Sequence, residues 1–259
     1  MKILIAGYGY VGKAIDKCLT SKQYHSRERH ETHIVDPKFN NNTFDYDYDA
    51  VIIAVATPQG EDGSCDMQNV FDCIEQTNNK PILIKSTISL EGWQQLKNKY
   101  PTKDITFSPE FLRAETAIQD FADQKTMFLS NESCDFWATV FRSVLPNTQI
   151  KVGTARELIL TKYFRNSFLA TKVSFFNQVY DMCKMLNTNY SNVRSFITQD
   201  SRIGESHSYV TEDRGFGGHC FPKDTQALLA TAENNNCNLS ILKEAVEYNS
   251  TIKRKKNER

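Results

Sequence analysis

The sequence predicts an α/β protein whose first part is a doubly wound parallel sheet and whose second part is helical, built on one long central helix. Three observations predict it. A β-branched apolar run enters a Gly-x-Gly-x-x-Gly turn at residues 7–12. Further apolar runs then alternate with helical stretches. From Thr154 a single helical pattern continues for more than thirty residues. The domain boundary is therefore placed between 1–153 and 154–259.

The first element, "KILIAGYGYVGKAIDKCL", runs from strand into turn into helix, with Ala14, Ile15, Cys18 and Leu19 on one helical side. Glycine triplets recur in ordinary turns, but a strand before and a helix after is the context that dinucleotide binding demands. Gly7 makes the tight turn, Gly9 lets the backbone approach a pyrophosphate, and Gly12 permits close packing of helix on strand. The helix N-terminus then offers free N–H groups to phosphate. A second strand, "THIVD", ends in Asp36, 24 residues beyond Gly12. An acid there accepts hydrogen bonds from ribose hydroxyls and repels a 2′-phosphate, so a Rossmann-like domain that takes NAD in preference to NADP is expected.

Three more strands follow. "DAVIIAVATP" is read as ending at Thr57-Pro58, "KPILIKSTI" at Ser86-Thr87, and "DITFSPEF" at Ser108-Pro109-Glu110. Helical stretches near 66–78 and 90–99 separate them. Ligands of such sheets bind outside the carboxyl ends of the strands, which makes Thr57, Thr87 and Glu110 candidate site residues. Each taken alone is more often a strand terminator or helix cap.

The long helix carries Ile159, Tyr163, Asn166, Leu169, Val173, Phe176, Tyr180 and Cys183 at steps of three or four, an apolar stripe expected to need covering by a second copy. Lys162 and Asn166 lie four residues apart and share a face. Asn166 falls within the stripe, where an amide needs a partner. Further on, "GFGGHCFPKD" sets Cys220 in glycines, with Lys223 and Asp224 close behind. Cations nearby favour a thiolate. A thiol nucleophile beside a nicotinamide site captures an aldehyde as a thiohemiacetal, which passes through a thioester to the acid. His219 beside it suggests a metal pair, but adjacent residues rarely ligate together and no metal is expected.

Composition narrows the classes. With 31 basic and 31 acidic residues the net charge is zero, which gives no reason to expect nucleic acid. The basic tail "KRKKNER" reads as a solvated helix end. Seven cysteines without zinc-finger spacing read as reduced thiols of a cytoplasmic protein. No leader peptide and no run long enough to cross a bilayer is expected.

Taken together, "GYGYVG", "KST", "SPEFLR", Lys-x-x-x-Asn on a long helix, "DSRIG" and "GFGGHCFPKD" resemble, in order, the signatures of the UDP-glucose/GDP-mannose dehydrogenase family. The resemblance covers most of residues 1–224. It implies oxidation of a nucleotide sugar's C6 alcohol to the uronic acid with two NAD, UDP-glucose to UDP-glucuronate first among the candidates. It makes Cys220 the nucleophile, with Lys162 and Asn166 steadying oxyanions. Asp224 and Thr87 would hold the water, and Glu110 would assist thioester hydrolysis. Cofactor contacts would come from Gly7, Gly9, Tyr10, Val11, Gly12, Asp36, Thr57, Thr87 and Lys223. Substrate contacts would come from Glu110, Phe111, Leu112, Lys162, Asn166, Gly217 and Gly218, and from Arg202 toward the phosphates. The long helix, residues 155–186, would form a homodimer core.

The sequence departs from the family at three places. Ala114 stands where a glutamate is usual, with Glu115 next to it; the segment after Asp36 is short; and the sequence stops before the third, nucleotide-sugar-binding domain. Two other readings compete. Single-step hydroxyacid or 6-phosphogluconate dehydrogenases also place Lys-x-x-x-Asn on helices but need no cysteine. A non-catalytic nucleotide-binding remnant need not retain Cys220, Lys162, Asn166 and Asp224 together.

Overall fold

A computed structural model describes residues 1–21, 29–39, 41, 43–60, 63–218 and 220–257. The chain divides into two compact units, one of residues 1–60 and 65–162, the other of 61–64 and 163–259. The division falls inside the longest helix, after Lys162.

In the first unit, β1 (Lys2–Ala6), β2 (Glu31–Val35), β3 (Ala50–Ile53), β4 (Ile82–Ile84) and β5 (Ile105–Phe107) form one sheet in the order β2-β1-β3-β4-β5. Every pairing is parallel. Crossovers between parallel strands usually carry helices; α1 (Tyr10–Thr20), α2 (Gln68–Gln76) and α3 (Leu90–Lys99) supply three of the four, and the β2–β3 connection has, among the described residues, only a short 3-10 turn at Pro37–Phe39. β1 and β3 are buried almost throughout, which is why they read as continuous apolar runs without alternation. Beyond β5 come α4 (Ala117–Ala122), β6 (Thr126–Ser130), α5 (Cys134–Val144) and β7 (Gln149–Gly153), with β6 and β7 paired in parallel. The core gathers Ile3, Ile5 and Ile15 with Phe121, Trp137 and Phe141.

The regular ladders stop short of the expected ends. They finish at Ile53, Ile84 and Phe107, so Thr57, Thr87 and Glu110 occupy the turns that follow. The reason is local. The amides of Lys85 and Ser86 both converge on the Ile53 carbonyl, and the Ser86 hydroxyl donates to Val55 O at 2.7 Å. Proline at 58 and 109 removes the next ladder donors.

α6 (Ala155–Met185) opens the helical part and is followed by α7 (Tyr190–Thr198), α8 (Phe221–Asn234) and α9 (Ser240–Asn257). The stripe expected to need a second copy is instead covered by the chain itself. Ile159, Tyr163, Asn166, Phe176 and Cys183 are buried, and Leu169, Val173 and Tyr180 are half-buried. A different set is exposed: Phe164, Phe168, Phe175, Met182 and Met185, from 49% to 84% accessible. Their spacing of four, seven, seven and three is a coiled-coil-like seam. The helix is apolar on two faces, and periodicity alone does not say which one faces inward.

Candidate active site

The glycine turn has the form that a dinucleotide requires. Gly7 has φ +91°, and a Cβ on it would lie 2.6 Å from the Ala54 carbonyl oxygen. A Cβ on Gly12 would lie 2.1 Å from the Gly7 carbonyl oxygen, whereas among the described residues nothing stands within 4 Å of where one would sit on Gly9. Two glycines thus close the turn and the middle one leaves room above it. α1 begins at Tyr10 and Val11 with no acid in its first turn, so the positive end of its dipole favours an anion there. Asp36 lies just past β2. Its carboxylate takes the Tyr8 N–H at 2.7 Å and the Lys38 N–H at 2.9 Å, which ties it to the same turn. Burial, then a hydrogen bond to Asp16, pushes the Tyr8 phenol up to about 12. These residues fit a dinucleotide on their geometry.

Thr57 is buried and Thr87 half-buried. The buried Cys65 lies against both of their carbonyls, its thiol 3.3 Å from Thr87 O and 4.0 Å from Thr57 O. Further along the chain, Arg113 grips Asp120 by its main-chain N–H at 3.0 Å and by its guanidinium at 2.6 and 3.0 Å. This tie fixes the segment that carries Ala114 and Glu115, which with Tyr10 and Lys13 lines a cavity of about 400 Å³. The Arg113 hydrogen bonds, outweighing burial, hold the Asp120 carboxyl down at about 2, below its ordinary 3.8. A depressed folded-state value contributes stability above the unfolded value and loses it as pH falls through the folded one. Asp120→Asn should therefore destabilise the first unit by about 1–2 kcal/mol at neutral pH, discounted because Arg113 is exposed. The difference from wild type should vanish as pH falls from about 4 to 2, which melting curves across that window would check.

Residues far apart in the sequence meet at the turn after β5. Lys162, buried on α6, donates to the Glu110 carbonyl oxygen at 2.6 Å and lies 5.9 Å from the centre of the Phe111 ring. The Glu110 carboxylate is buried; it accepts the Phe111 N–H at 2.8 Å and pairs with Lys85 at 2.9 Å. Phe111 and Leu112 are half-buried.

The second unit holds the other group. Asn166, one turn beyond Lys162 on α6, donates to Asp224 Oδ2 at 2.6 Å, and Lys223 pairs with Asp224 Oδ1 at 2.7 Å. Asp224 is 1% exposed, so this carboxylate is buried with a cation and an amide as its partners. Cys220, half-buried, is the N-cap of α8. The first turn of that helix holds Pro222, which has no N–H, and Asp224, whose N–H returns to the Cys220 carbonyl at 2.8 Å. His219 lies outside the described residues. Among those described, no cluster of His, Cys, Asp and Glu could hold a metal ion.

The turn before Cys220 is clamped from two helices. Asn177 on α6 accepts from Arg214 Nε at 2.8 Å and from the Gly215 N–H at 3.1 Å. Asn249 on α9 accepts the Phe216 N–H at 2.7 Å and returns an N–H to the Phe216 carbonyl at 3.2 Å. Arg214, Gly215 and Gly218 all have positive φ. Gly217 and Gly218 border a cavity of about 470 Å³ with Arg214 and Lys253. Arg202 is mostly exposed and held by Asp200, while Lys172 ties down the carbonyls of Ile203 and Gly204. Sequence reasoning passed over Lys85, Asn177 and Asn249; the available signals were a lysine ending a buried strand and amides among apolar helix positions.

The comparisons with known proteins bear on both units. Residues 29–135 match the NAD binding domain of the UDP-glucose/GDP-mannose dehydrogenase family, and residues 156–251 match its central domain. The UDP-glucose 6-dehydrogenase of Campylobacter jejuni is 30% identical, over 98% of this chain and 73% of that one. This chain belongs to the UDP-glucose/GDP-mannose dehydrogenase family. The UDP-glucose 6-dehydrogenase of Rickettsia felis is 34% identical over 78% of this chain but only 47% of its own length. The chain thus spans about half the length of that relative. Among solved structures, a UDP-glucose dehydrogenase of Pyrobaculum islandicum superposes with a TM-score of 0.82 at 24% identity, over 98% of this chain and 68% of that one, and so shares the fold. The chain carries the family's NAD binding domain, which accords with the glycine turn and Asp36. Among the described residues no helix is long and apolar enough to cross a membrane.

Proposed function

We propose that this chain oxidises the C6 alcohol of a nucleotide sugar to the uronic acid with NAD, UDP-glucose being the first substrate to try. The observation that carries the reading is the pair of buried constellations: Lys162 on the Glu110 carbonyl, and Asn166 with Lys223 on Asp224 close to Cys220 in sequence. A single-step hydroxyacid dehydrogenase has no use for that cysteine.

The dinucleotide would be held by the turn of Gly7, Gly9 and Gly12, by the start of α1, and by Asp36, with Thr57 and Thr87 at neighbouring strand ends. NAD supplies the hydride acceptor, and two equivalents are consumed. The C6 alcohol becomes the aldehyde by giving its hydroxyl proton to water and a hydride to NAD, while Lys162 and Asn166 stabilise negative charge on the substrate oxygen. Cys220 adds to the aldehyde carbon, forming a C–S bond and sending the thiol proton to the carbonyl oxygen. Transfer of a second hydride to NAD, with the thiohemiacetal's hydroxyl proton released to water, leaves the acyl group on Cys220 as a thioester. Water, held by Asp224 and Thr87 and relieved of a proton with help from Glu110, attacks the acyl carbon. The C–S bond breaks, releasing carboxylate and restoring the thiol. Phe111, Leu112, Gly217, Gly218 and Arg202 serve substrate binding, and Lys223 serves the cofactor side while paired with Asp224.

In this reading residues 1–153 are the cofactor domain and 154–259 the helical domain. None of the seven cysteines is in a disulfide, which accords with a reducing cytoplasm. The decisive assay incubates the protein with NAD and a panel of UDP- and GDP-sugars and counts NADH per substrate consumed. Two NADH per uronate supports the reading, and one per substrate favours the single-step alternative.

The outer face of α6 is proposed to pair with a second copy through Phe164, Phe168, Phe175, Met182 and Met185. Phe168→Glu should turn a dimer into a monomer in light scattering at micromolar concentration, with the fold unchanged by circular dichroism. A wild-type monomer would refute the pairing.

A further inference from the structure

Lys85 has no part in the reaction as written above, yet it is among the most buried charges of the first unit. It closes β4, and its side chain is 1% exposed. A lysine that has left water this completely needs an anion and hydrogen-bond acceptors. It has both. Its ammonium lies 2.9 Å from Glu110 Oε2, 3.1 Å from Ser108 Oγ and 3.5 Å from the Pro109 carbonyl oxygen, with the Phe121 ring 5.9 Å away. All three polar partners belong to the single turn after β5.

That turn is held from a second direction by Lys162, whose ammonium takes the Glu110 carbonyl oxygen. Two cations therefore face Glu110: one on its carboxylate, one on its main chain. The carboxylate itself is 7% exposed. Oε1 accepts the Phe111 N–H, while Oε2 touches Lys85 as an ion pair without the alignment of a hydrogen bond. Oε2 thus carries charge and still has a lone pair to offer. Without Lys85 a carboxylate so deeply buried would have to take up a proton or pull the turn out of place. A protonated Glu110 cannot accept a proton from water, and a displaced turn carries the carbonyl that seats Lys162.

We propose that Lys85 is a positioning residue, holding Glu110 as a buried anion and fixing the Ser108–Glu110 turn on which Lys162 rests. The proposal deepens the functional reading above, in which Glu110 serves thioester hydrolysis, and it concerns a contact wholly within the first unit.

The test uses the full chain with Lys85→Met, Lys85→Arg, Glu110→Gln and the double variant Lys85→Met/Glu110→Gln. Each single neutral variant strands one charge, and the double variant strands none. The double should therefore melt above both singles, several degrees above at least one. Should Lys85→Met not fold, the comparison of Glu110→Gln with the double still decides. Infrared spectra of the ligand-free protein, edited with ¹³C-glutamate, should show a protonated carboxyl in Lys85→Met at neutral pH that is absent from wild type, Lys85→Arg and the double. With NAD and UDP-glucose, uronate release should fall about 100-fold in Lys85→Met and stay within about threefold of wild type in Lys85→Arg. Additive melting shifts, with no protonated carboxyl in Lys85→Met, would overturn the role given to Lys85. A wild-type protein that oxidises no nucleotide sugar would overturn the functional reading alone, since melting and spectra still decide whether Lys85 holds Glu110.

Discussion

Cys220→Ser is expected to cut steady uronate formation by at least about 1,000-fold while leaving NAD affinity unchanged. A serine hydroxyl is a far weaker nucleophile at neutral pH, and an ester formed there hydrolyses less readily than a thioester. The variant should still perform the first oxidation, so aldehyde or a trapped ester accumulates. NAD binding stays because the turn of Gly7, Gly9 and Gly12 belongs to the first unit and Cys220 to the second. Acid-quenched mass spectrometry of wild type mixed with substrate and NAD should find the acyl sugar on Cys220. Uronate formation at the wild-type rate in Cys220→Ser would end the covalent reading and return the single-step alternative to first place.

The next largest effect is expected at the glycine turn, where two substitutions separate structure from binding. Gly12→Ala puts a methyl 2.1 Å from the Gly7 carbonyl oxygen, backbone against backbone, with no side chain able to yield. It should destabilise the first unit by about 2–3 kcal/mol and weaken NAD with it. At Gly9 an added methyl meets no atom of the described residues within 4 Å. Gly9→Ala should accordingly melt close to wild type yet bind NAD at least about tenfold more weakly, because the methyl occupies the place reserved for pyrophosphate. Calorimetry on the two variants checks both halves. If Gly9→Ala bound NAD as tightly as wild type, the phosphates would not lie over that turn.

Much of this was legible in the residues because the relevant signals are local. The glycine spacing, the acid after β2 and the alternation of apolar runs with helices each follow from geometry within a few residues. Lys162 and Asn166 were legible as a pair because a helix places i and i+4 together. What they touch was not. Glu110 lies 52 positions from Lys162, and Asp224 lies 58 from Asn166, separations set by chain topology. Lys85 escaped notice because a lysine at the end of a strand usually reaches water, and only packing shows that this one does not. The outward face of α6 was misread because apolar side chains lie on two sides of the helix. Burial on one of them is a fact about neighbours, not about spacing.

The clamp on the turn before Cys220 has a consequence for the order in which the protein is made. Asn249 closes on both backbone groups of Phe216 from 33 positions downstream. A ribosome adding about 5–20 residues per second needs roughly two to seven seconds to cover that distance. Throughout that interval the sheet of the first unit has already been synthesised, while the segment bearing Cys220 lacks half of its fastening. Until Asn249 is added, the segment that bears Cys220 cannot have its fastening at Phe216. The setting of the thiol is completed only with α9, so the chemistry assigned to it waits on the synthesis of that helix.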